Sequence, residues 1–322
     1  MARKVLIGAT NFSRDCGQAK AILLKNGFVT IENPYQRTYT SDELRAIAVD
    51  VDAVIAGTEL WDATIISLAK NLKIISRFGV GMDNIDREAA EKHGITVCNA
   101  KGQNACSVAN MTVALMLGAI RKIVLFDKTT RQGGWKREIA QDLDEKVVGF
   151  LGFGDIAQKT AKRISGFEPH MIAWDKYPDE ASATALNVSF VGFEDLLRKS
   201  DIVSVHLPYL AETYHILGMA QFEMMKPSAI LVNTARGPLI NEADLYKALK
   251  MGIFSGAALD VYEIEPVKSD NPLFTLDNVI CTPHTAAETL ESCYRVSVCA
   301  AQSVVDYFKG INSLYTVTSK PF

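Results

Sequence analysis

Residues 147–175 constrain this chain more than any other stretch. The apolar run VVGFL (147–151) leads straight into Gly152-Phe153-Gly154-Asp155-Ile156-Ala157. A stretch of helical period follows (155–165), and a second apolar run (171–174) ends at Asp175. This is G-x-G-x-x-A between a strand and a helix, with a carboxylate 18 positions beyond Ala157. Gly152 allows the tight turn. Gly154 lets a pyrophosphate approach the backbone where the helix carrying Asp155 and Ile156 begins. Free N–H groups and the helix dipole favour an anion there. Ala157 is small enough for helix to pack on strand, and Asp175 can accept hydrogen bonds from ribose hydroxyls. The unit predicts a dinucleotide site. A carboxylate at 175 would repel a 2′-phosphate, so NAD is expected rather than NADP.

The rest of the chain follows the same grammar. Short apolar runs at 5–7, 53–55, 74–75, 95–98, 202–205, 230–232 and 257–259 alternate with stretches of helical period at 41–49, 194–199 and 242–251. Strand–helix alternation with continuous apolar strands predicts an α/β protein whose parallel sheets are covered on both faces. With 322 residues, two domains are expected. No flexible linker divides them. Long helical segments at about 105–130 and 289–308 are the natural bridges. They predict a discontinuous first domain, 1–99 with 285–322, and a second domain, 100–284.

Composition narrows the partners. Thirty-four basic against 37 acidic residues leave a net charge of −3, without the basic excess of a nucleic-acid binder or a polybasic run for a membrane surface. The apolar stretch 111–120 is too short to span a bilayer. Six cysteines with no C-x-x-C spacing read as reduced thiols, so a cytoplasmic protein is expected. No cluster of His, Cys or carboxylates has metal-ligand spacing.

Three later segments place an ionisable residue at or just after the end of an apolar strand, the edge where open α/β sheets bind ligands. They are LVNTARGP (231–238), GAALDVYEIEP (256–266) and VICTPH (279–284). They supply Arg236, Glu265 and His284. Hydride transfer between a 2-hydroxy acid and a nicotinamide needs a cation for the carboxylate, a proton donor near neutrality and a carboxylate to orient it. This set provides all three.

These segments resemble the D-2-hydroxyacid dehydrogenase family, whose signatures include NxARG, ALDV-x-x-x-EP and a late PH. The resemblance covers the whole chain and implies two doubly wound parallel-sheet domains, a Rossmann-type NAD domain and a flavodoxin-like substrate domain, with a cleft between them. RFGVGMDNID (77–86) resembles the family's substrate-domain signature, which implies that the backbone N–H groups of Val80 and Gly81 grip the substrate carboxylate. Asn104, Ser107 and Val108 match the entry to the interdomain helix. The resemblance sets His206, Leu207 and Pro208 against the adenosine side. It sets Thr234 and Ala235 against the nicotinamide, with Asp260 near its amide. Departures are Asn110, Leu210 and Thr285-Ala286-Ala287, which replaces the glycine-rich step after His284.

Within the family, Arg77 to Asp86, Gly134-Trp135-Lys136 and the late spacing look most like the phosphoglycerate dehydrogenase branch. That branch carries a basic residue near Gly57 for the substrate phosphate. Here Glu59 stands close by, and the chain ends at Phe322 without room for a regulatory domain. A phosphoglycerate substrate and a neutral-chain 2-hydroxy acid both stay open. Formate dehydrogenase pairs its His with Gln, whereas this chain has Glu265. Corepressors related to the family share the fold and the NAD site, so a protein-scaffold role is a further reading. The apolar 105–130 segment is more than one domain can cover, and by resemblance it predicts a homodimer.

Overall fold

The computed structural model describes residues 2–10, 12, 16–135 and 137–317; Lys136 of the Gly134-Trp135-Lys136 stretch lies outside them. Tertiary contacts divide the chain into two compact units, 1–104 with 288–322, and 105–287. The boundaries fall a few residues beyond the expected 99/100 and 284/285, for a local reason. Asn99 N–H donates to Tyr315 O (3.0 Å) and Ala100 N–H to Gly79 O (2.8 Å), so 99–104 is bonded into the first unit. The N–H groups of Thr285 and Ala286 donate to Asp260, within the second.

In the first unit, β1 (Arg3–Ile7), β2 (Phe28–Ile31), β3 (Ala53–Ala56), β4 (Ile74–Arg77) and β5 (Thr96–Cys98) form a parallel sheet of order β2-β1-β3-β4-β5. Successive side chains of a strand face opposite ways. Leu6, Val54 and Ile75 therefore pack against α2 (Ser41–Ala48) and α3 (Ala63–Leu68) through Leu44, Ile65 and Ile66. Val5, Ile7, Ile55 and Ile74 pack the other way, against α1 (Gly17–Lys25) and the long helix Leu290–Phe308. Ala300 and Ala301 are small enough to bring that helix close, and Ser76 Oγ donates to Ala300 O at 3.0 Å. Three of these helices begin with a side-chain cap. Thr40 and Glu43 form a capping box, and Asp62 and Asp86 cap α3 and α4 (Arg87–Lys92).

In the second unit, β6 (Val147–Leu151), β7 (His170–Trp174), β8 (Val188–Phe190), β9 (Ile202–Val205), β10 (Ile230–Asn233), β11 (Gly256–Leu259) and β12 (Val279–Cys281) form a parallel sheet. Its order is β12-β11-β10-β9-β6-β7-β8. Connections leave β6 in both directions, so the topological switch point lies between β6 and β9. Helices α5 (Ala105–Ile120), α6 (Ile123–Arg131) and α7 (Asp155–Ile164) belong to this unit, with α8 (Glu180–Ala185), α9 (Phe193–Lys199), α10 (Met219–Phe222) and α11 (Glu242–Met251).

Two expectations are corrected here. The 105–130 segment is not one helix: Lys122 takes a left-handed φ of 53°, and α5 and α6 meet at a 63° bend. Its apolar residues divide accordingly. Val108, Leu115, Met116 and Ile120 are buried in α5, while α6 has no buried residue. The edge strands β2 and β8 were not expected. Both are short and part-exposed, and neither has the continuous apolar run of a central strand. No single helix among the described residues is long and apolar enough to cross a membrane.

Candidate active site

The dinucleotide end is built at the β6/β9 switch point. Gly152 carries φ +88°, and a Cβ there would stand 2.9 Å from the His206 carbonyl carbon, so only glycine lets the two strand ends close. Gly154 caps α7, and a Cβ added to it would meet nothing within 4 Å. That open backbone at a helix N-terminus fits an approaching pyrophosphate. Asp155 and Ile156 form the first turn, with Asp155 bonded to Lys159. Ala157 is fully buried. Asp175 accepts the Phe153 N–H at 2.7 Å and the Tyr177 N–H at 2.9 Å, which ties the end of β7 to the glycine turn. Its remaining lone pairs suit ribose hydroxyls.

His206 lies against Phe150, with ring centroids 5.8 Å apart, and Nε2 is 2.8 Å from Ser204 Oγ. Burial pulls its pKa down to about 3, so the ring is neutral. Leu207 is buried beside it and Pro208 is exposed.

At the ends of β10, β11 and β12 three loops interlock. Asn233 is fully buried; its Nδ2 donates to Arg236 O (2.9 Å) and its Oδ1 accepts the Ala235 N–H (3.0 Å). Arg236 Nη1 donates to Ala235 O at 2.7 Å. The Thr234 hydroxyl is turned inward, 2.8 Å from Thr112 on α5. Gly237 permits the next contact: a Cβ there would fall 1.9 Å from the Tyr262 carbonyl carbon. The Tyr262 N–H in turn donates to Glu265 Oε1 at 3.0 Å.

Glu265 Oε2 is 2.6 Å from His284 Nδ1. Burial alone would raise this carboxyl. The His284 bond and charge, the Tyr262 N–H and the Arg236 guanidinium outweigh burial and hold it below the usual carboxylate range. An ionised Glu265 fixes the proton on Nδ1 and leaves Nε2 to face a reacting oxygen. Arg236, Glu265 and His284 thus lie together, Glu265 bonded to His284 and under the Arg236 charge. His284 itself sits at φ +50°, its N–H donating to Asp260 O (2.8 Å) and Thr282 O (3.1 Å).

In the first unit, Val80 and Gly81 follow β4. Gly79 takes φ +145°, and Asn99 Nδ2 donates to Val80 O at 3.0 Å. Neither the Val80 nor the Gly81 N–H donates to another group among the described residues, so both suit an anion. Among those residues no group of three or more His, Cys, Asp or Glu is placed to hold a metal ion.

Residues 113–286 match the model of the D-isomer specific 2-hydroxyacid dehydrogenase, NAD binding domain. The chain is 39% identical over 277 residues to a glyoxylate reductase of Thermofilum pendens, covering 84% of this chain and 82% of the relative. It is 45% identical over 252 residues to a D-3-phosphoglycerate dehydrogenase of Archaeoglobus fulgidus, covering 78% of this chain. It spans about half of that relative's length, 48%. The structure of a glyoxylate reductase from Paecilomyes thermophila superposes with a TM-score of 0.87 at 27% identity, covering 98% of each chain. The chain belongs to the D-isomer specific 2-hydroxyacid dehydrogenase family.

As a member of that family, the chain carries an NAD-binding second unit. Asp260 is fully buried, and its carboxylate accepts Thr282 Oγ1 (2.6 Å), the Thr285 N–H (2.9 Å) and the Ala286 N–H (2.8 Å). Asp260 therefore binds the 282–286 loop, whatever it also offers a cofactor. Sequence reasoning gave no role to Asn233, Gly237, Tyr262 or Thr282. All four lie within the quoted segments, but their work is loop-to-loop bonding, which spacing along one chain does not display.

Proposed function

We propose that this chain reduces a 2-oxo acid to the D-2-hydroxy acid with NADH and runs the reverse oxidation. His284 serves as acid and base, Glu265 as its partner, and Arg236 as the anchor of the substrate carboxylate. The observation that carries the reading is the 2.6 Å bond between His284 Nδ1 and Glu265 Oε2, with the Arg236 charge acting on the same carboxylate.

Bound NADH supplies the hydride to the carbonyl carbon. As that C–H bond forms, His284 gives its Nε2 proton to the carbonyl oxygen, and it takes the proton back in the oxidative direction. Glu265 keeps its charge throughout and stabilises the imidazolium. Arg236 grips the carboxylate and polarises the carbonyl, an electrostatic contribution of about 3 kcal/mol. The first unit serves the substrate, with the Val80 and Gly81 N–H groups on its carboxylate. Gly152, Gly154, Asp155 and Ile156 would hold the pyrophosphate, and Asp175 the ribose. His206, Leu207 and Pro208 would meet the adenosine. Thr234, Ala235, Arg236, Asp260 and His284 would meet the nicotinamide.

NADH consumption with glyoxylate, pyruvate, hydroxypyruvate and 3-phosphohydroxypyruvate tests the reading. NADH binding without turnover on any of them would sink it and favour a scaffold that binds NAD. The names of the relatives support two substrate readings, glyoxylate reduction and phosphoglycerate oxidation.

The chain is further read as a cytoplasmic homodimer. None of the six cysteines is in a disulfide. On and after α6, Ile123, Val124, Trp135 and Ile139 are 55%, 50%, 84% and 95% exposed. A second copy would cover them. Light scattering that finds a monomer at micromolar concentration would refute the dimer.

A further inference from the structure

β4 and β5 lie side by side, with Ser76 opposite Cys98, so the segments that follow them leave the sheet together. After β4 comes the turn Phe78-Gly79-Val80-Gly81, and after β5 comes Asn99-Ala100. The first N–H groups of the turn are already spent. Phe78 N–H donates to Ala56 O (2.8 Å) and Gly79 N–H to Arg77 O (2.9 Å). The φ of +145° at Gly79 then redirects the chain. The next N–H groups, of Val80 and Gly81, are the pair proposed to hold the substrate carboxylate.

Both belong to trans peptides, in which C=O and N–H point opposite ways. The Val80 N–H shares a plane with the Gly79 carbonyl, and the Gly81 N–H shares one with the Val80 carbonyl. Each of those carbonyls is held by a residue that follows β5. Ala100 N–H donates to Gly79 O at 2.8 Å, and Asn99 Nδ2 donates to Val80 O at 3.0 Å. Holding a peptide by its carbonyl fixes the direction in which its N–H aims, on the far side.

Asn99 is itself fixed. Its N–H donates to Tyr315 O (3.0 Å), and its Oδ1 accepts the Lys101 N–H (3.2 Å). The amide must accept at one end and donate at the other, which asparagine does and an aspartate does not. The support continues behind it. Gln103 Nε2 donates to the Tyr315 hydroxyl (3.0 Å), and Arg295, on the helix Leu290–Phe308, donates through Nε to Gln103 O (2.9 Å). Donors held in place before an anion arrives bind it without the cost of ordering the turn.

We propose that Asn99 is a positioning residue: by holding Val80 O it aims the Gly81 N–H at the substrate carboxylate, as the Ala100 N–H does for Val80. It acts through the turn rather than on the substrate itself. The proposal rests on the dehydrogenase reading and adds to it a determinant of 2-oxo acid affinity.

The test uses the full chain as wild type, Asn99→Ala and Asn99→Asp. It measures glyoxylate reduction with NADH, inhibition by oxamate (an unreactive carboxylate analogue) and NADH dissociation by fluorescence. A looser grip on the carboxylate weakens ground state and transition state alike, so KM carries the effect. Asn99→Ala is expected to raise KM for glyoxylate and Ki for oxamate by about 10-fold. It should lower kcat by less than about threefold and leave NADH affinity unchanged. Asn99→Asp keeps the acceptor for Lys101 but sets an oxygen against Val80 O, and it should raise both constants at least as much. Should Asn99→Ala fail to fold, Asn99→Asp decides. Unchanged KM and Ki overturn the proposal. So does a fall in kcat and NADH affinity as large as the rise in KM, the mark of a general loosening of the fold. A wild type that reduces no 2-oxo acid fails the dehydrogenase reading itself, whereas an active wild type with unaffected variants fails this proposal alone.

Discussion

His284 Nδ1 and Glu265 Oε2 stand 2.6 Å apart although they come from different loops, 19 residues apart in sequence. The bond orients the imidazole and stabilises its charged form. His284→Ala removes the proton donor and should cut kcat on the order of 1,000-fold while NADH affinity, read by fluorescence, changes by less than about threefold. Equal loss of both would show that the residue holds the cofactor instead.

Glu265→Gln should lower kcat by about 100-fold, since the imidazole loses the anionic neighbour that orients it. The variant also carries a stability signature. The Glu265 carboxyl is held below its usual range in the folded chain. A depressed group contributes stability above its unfolded pKa, and that stability is lost as pH falls through the folded value. Denaturant titrations below the ordinary carboxylate range should therefore show a shallower acid decline for the Gln variant than for wild type. Parallel declines would mean the pair does nothing for the fold.

Asp260 gives the clearest stability test. Asp260→Ala leaves the part-buried Thr282 hydroxyl and Thr285 N–H and the buried Ala286 N–H without their acceptor. Urea unfolding should show a loss of about 3 kcal/mol. Because His284 lies between Thr282 and Thr285, kcat should fall with it. A loss under about 1 kcal/mol would mean that the loop finds other acceptors.

The α/β architecture was legible, and the three side chains proposed to react could be picked out, because each is encoded locally. Continuous apolar runs mark central strands such as β3 and β9, and Arg236, Glu265 and His284 each follow such a run. What depends on the environment was less legible. Edge strand β8 has one buried residue of three, so little in its pattern separates it from a loop. The break at Lys122 needs one residue in a left-handed conformation, which a lysine does not announce. Where Glu59 points was not legible either: it is buried because Gly8 and Gly57, far apart in sequence, both lack a side chain there.

Gly237→Ala tests how the Arg236 loop is seated. The added Cβ would overlap the Tyr262 carbonyl group at 1.9 Å and crowd the Glu263 nitrogen at 2.5 Å. Both are backbone, so neither can swing away. The variant should lose about 3 kcal/mol of stability and raise KM for the 2-oxo acid more than KM for NADH, as Arg236 is pushed off its place. An unchanged melting temperature would mean that the two loops separate freely.

Asp175 is the proposed determinant of cofactor choice. Its two oxygens accept the Phe153 and Tyr177 N–H groups, which sets the carboxylate at the end of β7 beside the glycine turn. A 2′-phosphate brought there would meet a like charge, whereas ribose hydroxyls would meet acceptors. Asp175→Ala should weaken NADH binding by about 10-fold and, by removing the repulsion, strengthen NADPH binding. The ratio of the two dissociation constants is the measurement that matters, because loss of the Phe153 and Tyr177 bonds would loosen the turn for both cofactors alike. If NADH and NADPH weaken in parallel, Asp175 only braces the turn, and the preference for NAD must come from another residue.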